Sequence, residues 1–225
     1  VKAGQKCTAI RRILVSKDNA DALSSAIVAK LSSTKLGNPT NEAVRMGPLV
    51  SKAQQSAAKE GIALLKTECQ VLFGDAPLQL IDADESKACF IAPTLLKCDL
   101  GINAKVANDV EVFGPVATVM PYNDTADAIA IARRGRGSLV ASVFSGDEDF
   151  CQSLIPAIAD LHGRIMVVDA KVEGQQTGHG NVMPNCLHGG PGKAGGGEEL
   201  GGLRALTLYH RRMVVQAGPD RTSAL

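Results

Sequence analysis

The sequence predicts an α/β fold in which a mostly parallel sheet carries helices on both of its faces. The chain has 225 residues, of which 45% are hydrophobic, and this is enough to bury one packed core. Several apolar runs are continuous, as in strands that are covered on both faces. These runs alternate with amphipathic segments of helical period, which is typical of parallel strands joined by helical crossovers. No internal repeat divides the chain, so we expect one α/β domain.

A strand and a long helix are predicted near the start of the chain. The apolar run over 10–15 predicts a buried strand. Over 17–36 an apolar residue recurs every four positions on one face, which predicts a helix. The residues on that face are Leu23, Ile27 and Leu31. Gly37 and Pro39 then predict the end of this helix.

A second helix and two further strands are predicted before residue 100. Ser51 and Gln54 have the spacing of a capping box, ahead of a helix that runs to about Thr67. The next three segments are predicted as a short strand, a surface loop or hairpin, and a strand, over 71–73, 76–87 and 90–98.

The second half of the chain predicts the alternation strand, helix, strand, helix, strand. These five segments cover 116–122, 125–134, 139–144, 147–161 and 164–168. Pro156 is expected to kink or shorten the second of the two helices. Glycine then dominates from 169 to 202 without any periodicity, and a loop this long inside a domain is usually functional. A short final strand is predicted over 213–216.

Composition and charge exclude several classes of protein. The net charge is +1 and no basic run stands out, so no nucleic-acid surface is expected. The apolar runs are too short to span a membrane, and no leader of the secretory type is found. The six cysteines are irregularly spaced and form no CxxC pair, so neither a disulfide framework nor a metal site is expected. A cytoplasmic protein with reduced cysteines is therefore predicted.

Two short motifs point to chemistry. Gly4-Gln5-Lys6-Cys7 places a cysteine on a turn just ahead of the first predicted strand. Backbone N–H groups around such a turn favour a thiolate and can stabilise an oxyanion beside it. Glu111-Val112-Phe113-Gly114-Pro115 supplies a carboxylate and an aromatic ring on one rigid turn.

In this order along the chain, the two motifs resemble those of the aldehyde dehydrogenase superfamily, and the segment 47–51, Gly-Pro-Leu-Val-Ser, resembles a third signature of that family. The resemblance implies that Cys7 is the nucleophile that attacks the aldehyde. It also implies that Glu111 and Phe113 hold the ribose and the ring of the nicotinamide of NAD or NADP, and that Gln54 contacts this cofactor. A carboxylate suits the vicinal hydroxyls of a ribose because it offers two acceptor oxygens.

The resemblance covers nearly the whole chain and has further implications. Residues 1–205 correspond to the catalytic domain, without the N-terminal cofactor-binding half, so we expect the chain alone to be inactive. Residues 206–225 correspond to an oligomerisation strand and tail, which implies a homo-oligomer. The glycine-rich segment 188–202 departs from the commonest family pattern. It resembles the branch that oxidises semialdehydes carried on coenzyme A in the breakdown of phenylacetate and benzoate, so the expected substrate is a small-molecule aldehyde of the kind that is attached to coenzyme A as a thioester.

Each assignment has a simpler alternative. Cys7 could be a buried structural cysteine, Glu111 an acidic turn residue, Phe113 a core residue and Gln54 only the third residue of a helix cap. Two other functions also stay open: a catalytically inactive domain kept for assembly within a larger fusion, and a different cysteine enzyme such as a thioesterase or amidase. The latter needs a histidine partner from among His162, His179, His188 and His210, and none of these has a diagnostic neighbourhood.

Overall fold

The computed structural model describes residues 2–176, 178, 180, 189–190, 192–195, 203 and 206–222. In chain order the strands are β1 Arg12–Ser16, β2 Leu36–Gly37, β3 Gln70–Phe73, β4 Leu80–Ile81, β5 Thr94–Lys97, β6 Val116–Tyr122, β7 Ser138–Phe144 and β8 His162–Val168. The α-helices are α1 Ala20–Ser32, α2 Lys52–Leu65, α3 Val106–Asp109, α4 Thr125–Arg134, α5 Glu148–Ile158, α6 Leu206–Tyr209 and α7 Pro219–Thr222.

Four strands form the largest sheet, in the order β1-β6-β5-β3. Strand β6 is parallel to both β1 and β5, whereas β3 is antiparallel to β5. The pairs β2–β4 and β7–β8 are parallel and form two separate sheets. The predicted α/β class with mostly parallel pairing is therefore confirmed, although the strands are divided among three sheets.

Helices cover both faces of the four-stranded sheet. On one face, Ile27 and Leu31 of α1 line the same cavity as Ile13 of β1 and Leu95 of β5. On the other face, residues of β1, β5 and β6 share a core cluster with residues of α2 and α4. Its members include Leu14, Leu96, Met120, Ala58, Leu65 and Ile131. This two-sided burial explains why the strand sequences are continuously apolar.

The first predicted helix is longer than the one that the structure contains. A 3₁₀ turn over Lys17–Asn19 precedes α1, and α1 ends at Ser32 rather than near residue 36. The hydroxyl of Ser32 donates to the Val28 carbonyl, and the hydroxyls of Ser33 and Thr34 donate to that of Lys30. These side chains satisfy the last carbonyls of the helix and so favour its end there. Leu36 and Gly37 instead form β2.

The segment between β3 and β5 is mostly loop, as predicted. Its one regular element is β4, which pairs with β2 rather than with a neighbour within the segment, so the hairpin alternative is wrong. The strand predicted over 90–98 is reduced to Thr94–Lys97. Phe90 and Ile91 are buried but lie outside the ladder, so their apolar character reflects core packing rather than strand pairing.

Later elements follow the sequence pattern closely. The bounds of β6 and α4 are those predicted, and β7 and β8 each begin one or two residues earlier than expected. Helix α5 contains Pro156 and ends two residues after it, so the predicted shortening is confirmed. Val143 of β7 packs with Leu154 and Ile158 of α5 in a smaller second core.

The end of the chain differs from the prediction. Residues 213–216 are exposed and pair with no strand among the residues that the structure describes. The oligomerisation strand therefore stays a prediction. Much of the glycine-rich segment 188–202, including His188, lies outside the described residues. Within the described part of the chain, no helix has the length and apolar character needed to cross a membrane.

Candidate active site

Cys7 lies on an exposed turn ahead of β1. The turn is closed by the Ala9 N–H, which donates to the Lys6 carbonyl at 2.9 Å. Before it, Lys2, Ala3 and Gly4 all have positive φ, at 53°, 46° and 72°. Two consecutive residues with a Cβ in the left-handed region indicate local backbone strain, which is common at functional sites. Cys7 is exposed, so the alternative of a buried structural cysteine is wrong.

Glu111 and Phe113 lie on a second turn, directly before β6. Val112 between them is buried, so its two neighbours point away from the core. The Gly114 N–H donates to the Val112 carbonyl at 2.9 Å and tightens the chain there. Phe113 is 39% exposed, which excludes a core role for its ring. The side chain of Glu111 is 56% exposed and its carboxylate can reach a ligand.

A carboxylate holds the short helix that leads into this second turn. Glu68 accepts hydrogen bonds from the backbone N–H groups of Lys105, Val106 and Ala107 at 3.1, 2.7 and 3.3 Å. These N–H groups open α3 and would otherwise have no partner within the helix, and a negative charge is favourable at a helix N-terminus. Glu68 therefore fixes the approach of the chain to Glu111.

The sheet brings the two turns together. Strands β1 and β6 are parallel neighbours, with Arg12 opposite Thr118, so the segments that precede them lie at the same end of the sheet. The backbones touch there, because a Cβ added at Gly4 would overlap the carbonyl of Gly114. We refer to residues 4–9 as the nucleophile turn and to residues 111–115 as the cofactor turn. Their direct contact is the main feature of the site.

Arg11 links the two turns through its side chain. Its terminal nitrogens donate to the carbonyls of Gly4 at 3.2 and 3.3 Å, Gly114 at 3.2 Å and Lys6 at 3.5 Å. Its Nε lies 3.6 Å from a carboxylate oxygen of Glu111, and the guanidinium carbon lies 5.4 Å from the centre of the Phe113 ring. Burial lowers the pKa of Arg11, and the Glu111 carboxylate counteracts this shift.

Arg12 anchors the other side of the cofactor turn. Its guanidinium donates to the Asn108 side chain at 2.7 Å, and to the carbonyls of Ile131 and Ala132 near the end of α4 at 2.7 and 3.1 Å. The Asn108 amide in turn donates to the Ala104 carbonyl at 2.9 Å. Burial, followed by the nearby Arg134, lowers the pKa of Arg12. Two adjacent arginines thus hold the segment that carries Glu111.

Gln5 connects the nucleophile turn to the segment 47–51 and to α2. Its side-chain oxygen accepts from the Val50 N–H at 2.9 Å, and its side-chain nitrogen donates to Gln54 at 3.3 Å. The Ser51 hydroxyl accepts from the Gln54 N–H at 3.2 Å, which confirms the predicted helix cap. The side chain of Gln54 is bonded to Gln5, so Gln54 is more than a capping residue. All three sequence motifs therefore meet around the nucleophile turn.

Part of the glycine-rich segment docks beside the cofactor turn. Lys193 donates from its backbone N–H to the Arg136 carbonyl at 2.8 Å and from its ammonium to the Asp109 carbonyl at 2.7 Å. The backbones of Gly163 and Gly189 pack directly on each other, because a Cβ added at Gly163 would overlap the Gly189 carbonyl. Arg134 holds the pKa of Asp109 at about 2.

The structure brings together the predicted residues Cys7, Glu111, Phe113 and Gln54 through neighbours that sequence reasoning missed. Arg11 and Arg12 are the main omissions. The sequence does carry a signal for them, because two consecutive arginines at the start of an apolar strand are unusual. The sequence likewise predicts no role for the side chain of Gln5.

The histidines of a cysteine hydrolase are not evident at this site. The His162 ring is tied to the Ile158 carbonyl at 2.8 Å, and burial lowers its pKa. His210 is exposed, and His179 and His188 lie outside the described residues. Across the described ranges, no three His, Cys, Asp or Glu side chains come together as a metal site would require.

Known proteins resemble this chain over most of its length. A model of the aldehyde dehydrogenase family matches residues 1–213. The 3,4-dehydroadipyl-CoA semialdehyde dehydrogenase of Aromatoleum evansii is 62% identical over 192 residues, which cover 85% of this chain and 37% of that protein. Protein MaoC of Klebsiella aerogenes is 40% identical over 182 residues, which cover 80% of this chain and 52% of that protein. The chain thus spans 37% to 52% of the length of these two relatives.

Solved structures resemble the fold over most of the chain. A point mutant of betaine aldehyde dehydrogenase from Staphylococcus aureus, in complex with NAD+ and with a BME-modified cysteine, matches with a TM-score of 0.74 and 27% identity. The match covers 89% of this chain and 38% of that one. An apo form of the same enzyme, carrying a different mutation, matches with a TM-score of 0.76 at 27% identity and covers 92% of this chain and 38% of that one.

Proposed function

The chain belongs to the aldehyde dehydrogenase family, and on that premise we propose that it is the catalytic part of a nicotinamide-dependent dehydrogenase that oxidises a semialdehyde carried on coenzyme A to the acid. The observation that supports this most is the contact between the nucleophile turn and the cofactor turn. It places the exposed Cys7 and the exposed pair Glu111 and Phe113 at the same end of the sheet.

Cys7 is the nucleophile in this proposal. Its sulfur attacks the aldehyde carbon and forms a thiohemiacetal, with the backbone N–H of Cys7 donating to the developing oxyanion. Loss of hydride converts the thiohemiacetal to a thioester on Cys7, and water then hydrolyses the thioester. The covalent route divides one difficult oxidation into easier steps.

Glu111, Phe113 and Gln54 are proposed to hold the nicotinamide end of NAD or NADP, which when bound accepts the hydride. The residues fit this group, because the Glu111 carboxylate offers acceptors for ribose hydroxyls and the Phe113 ring offers an exposed apolar face. The side-chain oxygen of Gln54 accepts the hydrogen bond from Gln5, and its amide hydrogens are not used in that bond. Support also comes from the complex of the related betaine aldehyde dehydrogenase with NAD+.

The substrate class is inferred from relatives. The protein of Aromatoleum evansii is named for a semialdehyde on coenzyme A, and it is 62% identical to this chain over 192 residues. We infer a substrate of that kind, from the degradation of an aromatic compound. We assign residues 1–205 to the catalytic domain and 206–225 to an oligomerisation strand and tail of a homo-oligomer. A cytoplasmic location is consistent with the free cysteines of the described residues.

The alternative of an inactive assembly domain receives less support, because an inactive domain has no need for Cys7, Glu111 and Phe113 to be exposed together.

The proposed function is tested by a kinetic comparison of the full-length protein with its Cys7→Ala and Cys151→Ala variants. Cys151 lies on α5, in the second core, and serves as a matched control. We expect Cys7→Ala to abolish formation of the reduced nicotinamide and Cys151→Ala to retain it. Turnover by Cys7→Ala would refute the covalent mechanism.

A further inference from the structure

Arg11 contacts both turns of the candidate site but has no part in the covalent chemistry assigned to Cys7. We propose that Arg11 is a positioning residue that fixes the nucleophile turn against the cofactor turn, and so sets Cys7 and Glu111 in their working positions. This inference rests on the proposed function, because it concerns the same site. It assigns a role to a side chain that contacts the backbone of both turns, at Gly4 and Lys6 ahead of Cys7 and at Gly114.

The backbone contacts carry the first part of the argument. A guanidinium is planar and presents five N–H donors in a fixed fork. In Arg11 the two terminal nitrogens reach the carbonyls of Gly4 and Lys6 in the nucleophile turn. One of them also reaches the Gly114 carbonyl in the cofactor turn at 3.2 Å. A single rigid group therefore bridges the two backbones, and neither turn can move without losing one of these bonds.

The side-chain contacts carry the second part. The Nε of Arg11 lies 3.6 Å from the Glu111 carboxylate, and the guanidinium lies over the Phe113 ring. Attraction to the carboxylate and the cation–π contact both restrain side chains that are partly exposed to solvent. Among the described residues, no acceptor lies within hydrogen-bond distance of the buried Nε. Arg11 thus restrains Glu111 without occupying a carboxylate oxygen in a short hydrogen bond, which leaves both oxygens available to a ligand.

Burial explains why lysine cannot replace arginine here. The side chain of Arg11 is only 20% exposed, and burial of a charge is unfavourable unless its contacts compensate. The contacts of the Arg11 guanidinium described above are all made to the two turns. A lysine ammonium has three donors at one point and cannot serve three carbonyls while lying over a ring. The Arg11→Lys variant should therefore keep the charge but lose the bridge.

The test uses the full-length protein with Arg11→Gln, Arg11→Lys and, as a matched control, Arg133→Gln. Arg133 pairs with Asp160 on the surface and contacts neither turn in the described structure. Three quantities are measured: the affinity for NAD and NADP by equilibrium titration, the rate at which iodoacetamide alkylates Cys7, and the thermal midpoint. Titration of Glu111→Gln and of the double variant Arg11→Gln/Glu111→Gln completes a double-mutant cycle.

We expect Arg11→Gln to weaken cofactor binding by no more than the loss of about 10- to 150-fold expected when Glu111 itself loses its hydrogen bonds to the ribose, because Arg11 acts only through Glu111 and the cofactor turn. It should also slow the alkylation of Cys7, because the nucleophile turn loses the bonds to the Gly4 and Lys6 carbonyls that hold it in place. Arg11→Lys should recover only part of either property. The double variant should bind more tightly than the product of the single effects predicts, since both changes disrupt one contact.

Unchanged cofactor affinity and Cys7 alkylation in folded Arg11→Gln, as in Arg133→Gln, would overturn the inference. A lowered thermal midpoint with both other quantities unchanged would show that Arg11 serves packing alone, and would equally overturn it. Failure of the proposed function has a different signature: Cys7→Ala retains turnover, or the parent protein binds neither NAD nor NADP. In the second case the alkylation rates of Cys7 in the Arg11 variants decide the positioning role.

Discussion

Replacement of Gly4 by alanine tests the contact between the two turns directly. Gly4 has φ +72°, in the left-handed region that disfavours residues with a Cβ. An added Cβ would overlap the Gly114 carbonyl and lie 2.8 Å from the Cα of Pro115. Both obstacles are backbone atoms, so no side-chain rotation can relieve the overlap. The nucleophile turn must therefore move away from the cofactor turn.

The magnitude follows from two contributions. The left-handed backbone costs about 1–2 kcal/mol for a residue with a Cβ. The bonds from Arg11 to Gly4 and Gly114 are already 3.2 Å long, so a displacement near 1 Å breaks at least one of them. A hydrogen bond to a charged group contributes about 1.5–3 kcal/mol, part of which water restores. We expect the free energy of unfolding to fall by about 2–4 kcal/mol and the rate to fall about 100-fold, as for a comparable misplacement of a catalytic group.

Gly146→Ala is the matched control, because a Cβ added at Gly146 meets nothing within 4 Å. Its free energy of unfolding should stay within about 0.5 kcal/mol of the parent value. Urea denaturation followed by circular dichroism gives the stability, and initial rates of the full-length protein give the activity. If Gly4→Ala matched Gly146→Ala in both measurements, the reasoning that the turns constrain each other would be wrong.

Three further changes have distinct expected results. Glu111→Gln should weaken NAD affinity about 10- to 150-fold in an equilibrium titration while urea denaturation changes little, since the side chain is 56% exposed; a variant that unfolds easily but binds NAD normally would assign Glu111 a structural role. Ser51→Ala removes the cap on the Gln54 N–H and should lower the free energy of unfolding by about 1 kcal/mol, and an unchanged urea midpoint would contradict this. Asp109 has its pKa lowered to about 2, chiefly by Arg134. Its charged form is favoured by folding, so its contribution is present above about pH 4 and is lost as the pH falls through about 2. The stability difference between the parent and Asp109→Asn should shrink on acidification over that window, and a difference that grew there would have the wrong sign.

The sequence predicted best those elements that have residues typical of a start and of a stop at their two ends. Strand β6 is a β-branched apolar run, and α4 follows it with Asp124 as N-cap, whose side chain accepts from the Asp127 N–H at 2.8 Å. Gly135 then follows the last residue of α4. Local signals of this kind act within a few residues and are visible in one sequence. For β6 and α4, these signals predict the same first and last residues that the structure shows.

Other features depend on contacts between distant parts of the chain. The pairing of Leu36–Gly37 with Leu80–Ile81 involves two residues on each side, too few to produce a periodic pattern. The bridge from Arg11 to Gly114 likewise requires the register of β1 on β6 to be known first. The motifs of the site could be found in the sequence, whereas the side chains that hold them together could not be assigned without the fold.

The pairing of β1 with β6 brings together two turns that lie far apart along the chain. Cys7 and Glu111 are near because their strands are neighbours, and the chain between them contributes nothing to this spacing beyond β5 and the helices that pack on the sheet. Residues 84–87 are an exposed stretch of that connection, and we expect an insertion of several residues there to be tolerated, since doubling a loop costs only about 0.6 kcal/mol. A search for distant members of such a family should accordingly leave the gap between the two motifs free and require an apolar strand directly after each.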